Sequence, residues 1–84
     1  MISVLIVTYN SGKCIGACLQ SLGQFGEGSI QEIIVVDNGS ADATLDQVRR
    51  FPNVKLLAAG SNLGFAAAVN RAARTSTGAA LLIL

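Results

Sequence analysis

Four apolar runs punctuate the sequence, Ser3 to Val7, Ile33 to Val36, Val54 to Ala58 and Ala80 to Leu84. The second is β-branched throughout and shows no polar alternation, the pattern of a strand buried on both faces of a parallel sheet. Between the first two runs, Ile15, Cys18, Leu19 and Leu22 recur at i, i+3, i+4 and i+7 and predict a helix, with Asn10 or Ser11 as its cap and Gly23 as its stop. Gln24 to Ser29, with Gly26 and Gly28, reads as a flexible connection. A second helix is capped by Ser40 or Asp42, with Asp42 and Asp46 toward its positive end and Arg49 and Arg50 at its negative end. Phe51 precedes Pro52, is biased out of helix, and closes the element. After the glycine-punctuated loop Gly60 to Gly64, an alanine-rich stretch from Phe65 to about Arg74 predicts a third helix. Its inner side carries Phe65, Val69 and Ala72 or Ala73, and Ser76-Thr77-Gly78 ends it.

Strands alternating with helices define an α/β chain with a three-layer, Rossmann-like parallel sheet. Right-handed crossovers from strand one to two to three place the first two helices on one face. A third helix can cover the other face only if strand four returns beside strand one, giving the order 3-2-1-4. The direction of winding reverses between strands one and four, and ligands of open α/β sheets bind at such a reversal. Thr8, Tyr9 and Asn10 stand at that mouth.

Composition narrows the partners. The 84 residues are 51% hydrophobic and 13% charged, so the interior is large for the surface, as in a slice of a larger buried sheet. A net charge of +1 leaves no electrostatic footprint for nucleic acid or anionic lipid. Cys14 and Cys18 share a helical face, but with no histidine and no second pair they exclude zinc, and they read as small core residues kept reduced. The opening residues lack the basic flank of a signal peptide, and no segment nears the roughly 20 apolar residues of a membrane span, which points to a cytoplasmic location. The apolar fourth strand offers surface through which copies of the chain could associate as a homo-oligomer.

Asp37 closes the second strand and is followed by Asn38-Gly39-Ser40, a turn with a ready helix cap. A carboxylate there either points into the crevice and meets a ligand or binds the backbone N–H groups of the next helix. Familiar phosphate loops are absent. The segment after strand one reads T-Y-N-S-G-K, which is neither G-x-G-x-x-G nor G-x-x-x-x-G-K-[ST], and no acidic pair of a receiver domain stands there. Lys13 reads as a solvated surface lysine, with a phosphate contact as the alternative.

Three ordered blocks, V-T-Y-N after strand one, V-V-D-N-G-S-A-D-A-T after strand two and N-L-G-F-A-A-A-V-N-R after strand three, resemble the inverting family 2 glycosyltransferases, and among them the rhamnosyltransferase-like members that elongate bacterial surface polysaccharides. The resemblance implies that residues 1–84 are the amino-terminal, nucleotide-binding half of a GT-A fold. It implies that Thr8, Tyr9 and Asn10 line the pocket for the base of a UDP- or dTDP-sugar donor, and that Asp37 accepts the imide N–H of that base. Asn62 and Gly64 would let backbone approach the nucleoside, and Arg71 would stand near the diphosphate, with a solvated helix position as its alternative. Asn70 is ambiguous between a ligand and a neighbouring loop, and Asp42 is assigned to capping. The family's metal-binding acidic motif and its general base would both lie beyond Leu84. The expectation is therefore a full-length transferase that needs Mg or Mn and moves a sugar to a saccharide acceptor with inversion, while this piece holds no catalytic residue and no metal. A non-catalytic module that oligomerises or binds nucleotide is the alternative.

Overall fold

The computed structural model describes residues 2–25, 30–78 and 80–83. Strands β1 (Ile2–Thr8), β2 (Ile30–Asp37), β3 (Val54–Ala58) and β4 (Ala80–Ile83) alternate with helices α1 (Ile15–Phe25), α2 (Thr44–Arg49) and α3 (Phe65–Thr75). All strand pairs are parallel and the order is β3-β2-β1-β4, as crossover handedness requires. The reversal of winding lies between β1 and β4.

Alternate residues of the two central strands feed two separate cores. Val4, Ile6 and Val35 pack with Ile15 and Leu19 of α1 and Val48 of α2. Leu5, Ile34 and Val36 face the other way and pack against Ala68 and Ala72 of α3. Leu5, Ile34, Val35 and Val36 are fully buried, and each such aliphatic side chain contributes about 1.5–3 kcal/mol relative to exposure. The small inner face of α3 lets that helix lie close to the sheet. The layers are therefore α1/α2, sheet, α3.

Local expectations fail at five places, each for a physical reason. Helix α1 runs through Gly23 to Phe25, since a glycine's helix penalty of about 1 kcal/mol is small beside the packing of the inner face. Neither Asn10 nor Ser11 caps α1 with its side chain, because both side chains bond elsewhere. Ser40 likewise turns back to Asp37 and does not cap α2, whose first amide, at Thr44, is taken by Asp42. Cys14 is exposed rather than in the core, and only Cys18 packs against it. Phe65, expected on the inner side of α3, is 61% exposed at the head of the helix, whose packed residues are Ala68, Val69, Ala72 and Ala73. The connection at 26–29 and Leu84 lie outside the described residues.

The foot of the sheet is closed by one carboxylate. Glu32 Oε2 accepts hydrogen bonds from Ser3 Oγ at 2.7 Å, from Thr77 Oγ1 at 3.0 Å and from the Thr77 N–H, while Lys55 Nζ stands 3.6 Å from Oε1. Ser3 Oγ in turn accepts the Gly78 N–H at 2.8 Å. The Thr77 N–H, then the Ser3 hydroxyl, hold the Glu32 carboxyl down at about 2, against an ordinary value of 4.5. A depressed folded-state value means stabilisation that is complete above the ordinary value and lost as pH falls through about 2. Thermal unfolding followed by circular dichroism should therefore show the midpoint dropping from pH 4.5 toward 2. Glu32→Gln should lower the midpoint at neutral pH and flatten that acid limb; an unchanged acid limb would remove Glu32 from the account.

Candidate functional site

At the other end of the sheet, the carboxyl ends of three strands lie level. Thr8 pairs with Asp37 and Asp37 with Ala58. The ladder extends one residue further, with the Asn38 N–H donating to the Thr8 carbonyl at 2.8 Å and the Ala59 N–H to the Asp37 carbonyl at 2.9 Å. Above this line, the loop after β1 and the loop after β2 are sewn together.

Asp37 is the centre of the seam. Its Oδ1 accepts from Thr8 Oγ1 at 2.8 Å and from Ser40 Oγ, and its Oδ2 accepts the Ser40 N–H at 2.9 Å. Only 1% of the residue is exposed. The expectation that this carboxylate opens into a cleft does not hold. Thr8 supplies a hydroxyl from the adjacent strand and Ser40 supplies two donors from the turn. Their charge-assisted bonds compensate its burial from within the chain. Nor does Asp37 cap α2: the turn it closes ends at Ser40, ahead of that helix.

The remaining stitches follow in register. The Asn10 N–H donates to Ser40 Oγ at 2.8 Å, and Asn10 Oδ1 accepts the Ala41 N–H at 2.9 Å. The Ser11 N–H donates to Thr44 Oγ1 at 2.8 Å, and the Gly12 N–H to Asp42 Oδ2 at 3.0 Å. Asp42 also accepts from the Thr44 N–H and hydroxyl; the Thr44 hydroxyl, with the Gly12 amide beside it, holds the Asp42 carboxyl below its ordinary value. Asn10 takes a φ of 49°, a left-handed conformation that asparagine tolerates better than most side chains. With its neighbours pinned, Tyr9 is left 54% exposed, its ring presented by a fixed backbone.

The third loop joins at Asn38, which is 3% exposed. Its Oδ1 accepts the Leu63 N–H at 3.2 Å and its Nδ2 donates to the Gly64 carbonyl at 3.4 Å. Asn62 Oδ1 accepts the Gly64 N–H at 2.8 Å, and Gly64 opens α3 with a φ of 83°. Gly39, with a φ of 82°, touches the same loop: a Cβ there would lie 3.0 Å from Ser61 Cα.

Of the seven residues singled out from the sequence, Thr8, Tyr9, Asn10, Asp37, Asn62 and Gly64 fall on this edge. Arg71 does not. It is exposed on α3, roughly 9 Å along the helix axis from Phe65 at 1.5 Å per residue. Asn38, Ser40 and Thr44 join the edge without having been foreseen. A hydroxyl or carboxamide after a strand signals a turn, and its bond to a partner about 30 residues away has no local signature.

The fold is that of GT-A glycosyltransferases. Staphylococcus aureus TarS (residues 1–349) superposes with a TM-score of 0.88 at 32% identity, over 99% of this chain and 26% of that one. The mannosyltransferase PcManGT of Pyrobaculum calidifontis, solved with GDP-Man and Mn2+, superposes at 0.76 with 30% identity, over 92% of this chain and 24% of that one. The glycosyl transferase family 2 model matches residues 3–84, and the chain belongs to that family. It is 42% identical over 72 residues to the N-acetylglucosaminyl-diphospho-decaprenol L-rhamnosyltransferase of Mycobacterium tuberculosis, covering 84% of this chain and 23% of that relative. The chain thus spans about a quarter of the length of the relatives it matches.

Proposed function

We propose that the carboxyl edge described above binds the nucleotide of a sugar donor, in a protein that transfers the sugar to a saccharide acceptor with inversion. The observation that carries this reading is the Tyr9 ring, held out from an immobilised backbone at the mouth where the winding reverses. Six of the seven residues expected to meet the donor lie on the same edge, but Thr8 and Asp37 are each 1% exposed and bonded to one another, so they support the edge and do not line a pocket. A fixed aromatic face offers a stacking surface for a flat base at little ordering cost.

Within this reading Thr8, Asn10 and Asp37 build the platform, Tyr9 meets the base, and Asn62 and Gly64 bring backbone alongside the nucleoside. Asp37 acts through Thr8 and Ser40, not by taking the base's N–H itself. Arg71, exposed on α3 away from this edge, is left as a solvated helix position. The rhamnosyltransferase relative favours an L-rhamnosyl donor, and the UDP or dTDP carrier rests on the motif resemblance alone. The GDP-Man complex of PcManGT sets a purine as the competing base.

A divalent ion would supply charge stabilisation to a leaving diphosphate in this family's chemistry, and PcManGT was solved with Mn2+. This chain's own residues do not fit that role. Among the described residues no three of His, Cys, Asp and Glu gather where they could hold a metal, and Asp37 is committed to the seam.

Titration calorimetry with UDP, dTDP and GDP tests the reading. Tyr9→Ala should weaken each diphosphate by the about 1–3 kcal/mol typical of base–aromatic stacking; stacking accepts any base, so a preference for UDP or dTDP over GDP would come from contacts other than Tyr9. Because Tyr9 is exposed, the same substitution should leave stability within about 0.5 kcal/mol. Equal affinity of the Tyr9→Ala and unaltered chains would sink the platform.

A further inference from the structure

We infer that Asn38 is a positioning residue that sets the loop before α3 against the end of β1. The inference rests on the proposed donor site for its functional consequence, but not for its geometry. Asn38 is nearly sealed from solvent, its backbone held to the end of β1 and its side chain to the loop before α3. Its backbone N–H donates to the Thr8 carbonyl at 2.8 Å, its Oδ1 accepts the Leu63 N–H at 3.2 Å, and its Nδ2 donates to the Gly64 carbonyl at 3.4 Å.

The last two partners are of opposite kind, an N–H and a C=O. Only a side chain with both a donor and an acceptor satisfies them together, and a carboxamide does so in one orientation. The Gly64 carbonyl is also the acceptor for the Ala68 N–H at 3.2 Å, the first rung of α3. Asn38 therefore couples the height of Leu63 and Gly64, and the start of α3, to the backbone on which Tyr9 is mounted. The neighbouring carboxylate cannot do this, since all its bonds run toward Thr8 and Ser40.

Asn38→Asp is the diagnostic change. A carboxylate of the same size still accepts from Leu63 but faces the Gly64 carbonyl with no donor. Asn38→Ala removes both contacts. Amide hydrogen exchange by NMR on the full chain should show the Leu63 amide exchanging about tenfold faster in Asn38→Ala, the change one lost hydrogen bond produces, with the Ser40 and Ala41 amides unmoved. In Asn38→Asp the Leu63 amide should stay protected while pyrimidine nucleotide binds several-fold more weakly. A loss of affinity with unchanged exchange at Leu63 in Asn38→Ala would overturn the positioning role and make Asn38 a direct contact. Uniformly faster exchange across the seam would overturn it in favour of general loosening. If the unaltered chain binds none of the nucleotides, the donor-site reading fails, and the exchange data alone decide whether Asn38 anchors the loop.

Discussion

Asp37→Ala should be the most damaging single substitution on the functional edge, costing about 2–4 kcal/mol of stability and abolishing nucleotide binding with it. The change removes the acceptor for two hydroxyls and one backbone N–H, of which the Thr8 hydroxyl is buried and the two Ser40 donors are partly buried. Stranded buried donors cost about 1–3 kcal/mol each before relaxation, and the turn at 38–40 loses the bond that closes it. Asp37→Asn should be milder, since its carbonyl oxygen still accepts while its NH2 meets donors. Thr8→Val should cost less again, about 1–2 kcal/mol, because it removes one of three donors and keeps the strand's shape. Urea unfolding of the three variants should rank them in that order. If Asp37→Ala keeps full stability yet loses nucleotide binding, the carboxylate is a ligand contact and the internal seam contributes little.

The second large effect is expected at Gly39. Two separate penalties meet there: a φ of 82°, and the Ser61 backbone 3.0 Å from where a Cβ would stand. Gly60 provides the control, having a φ of 79° but open space around its missing side chain. Gly60→Ala should cost only the left-handed strain, about 1–2 kcal/mol. Gly39→Ala should cost that plus a displacement of the loop at Ser61, about 2–3 kcal/mol in all. It should also weaken nucleotide binding, whereas Gly60→Ala should do so less. Matching denaturation midpoints for the two variants would mean that the contact between the two loops contributes nothing.

Much of the scaffold could be read directly. β3 is found at its expected residues, and the uninterrupted β-branched run from Ile33 to Val36 gave the two-faced burial because no polar alternation competed with it. Strand order followed from handedness alone once three helices had to cover two faces. What escaped was the direction of individual side chains. Helical periodicity put Phe65 on the inner side of α3, where the packed residues are instead Ala68, Val69, Ala72 and Ala73, because periodicity does not say at which turn a helix meets the sheet. For Asp37, strand position fixed its place at the edge; whether a carboxylate there faces solvent depends on Thr8 and Ser40, which the local pattern treats as a strand end and a turn. The reach of Asn38 to Leu63 and Gly64 depends on β3 and β2 being neighbours, so it became visible only with the folded chain.

The stitches between residues 8–12 and 37–44 bear on the order of assembly. Every one of them joins positions roughly 30 residues apart, and none can form until β1 and β2 lie side by side in the right register. A nascent or partly melted chain therefore has no half-built receptacle for a nucleotide: the rim exists only once the two central strands have annealed. Ligand and sheet should then guard each other, with bound nucleotide slowing the separation of β1 from β2 although it touches neither core.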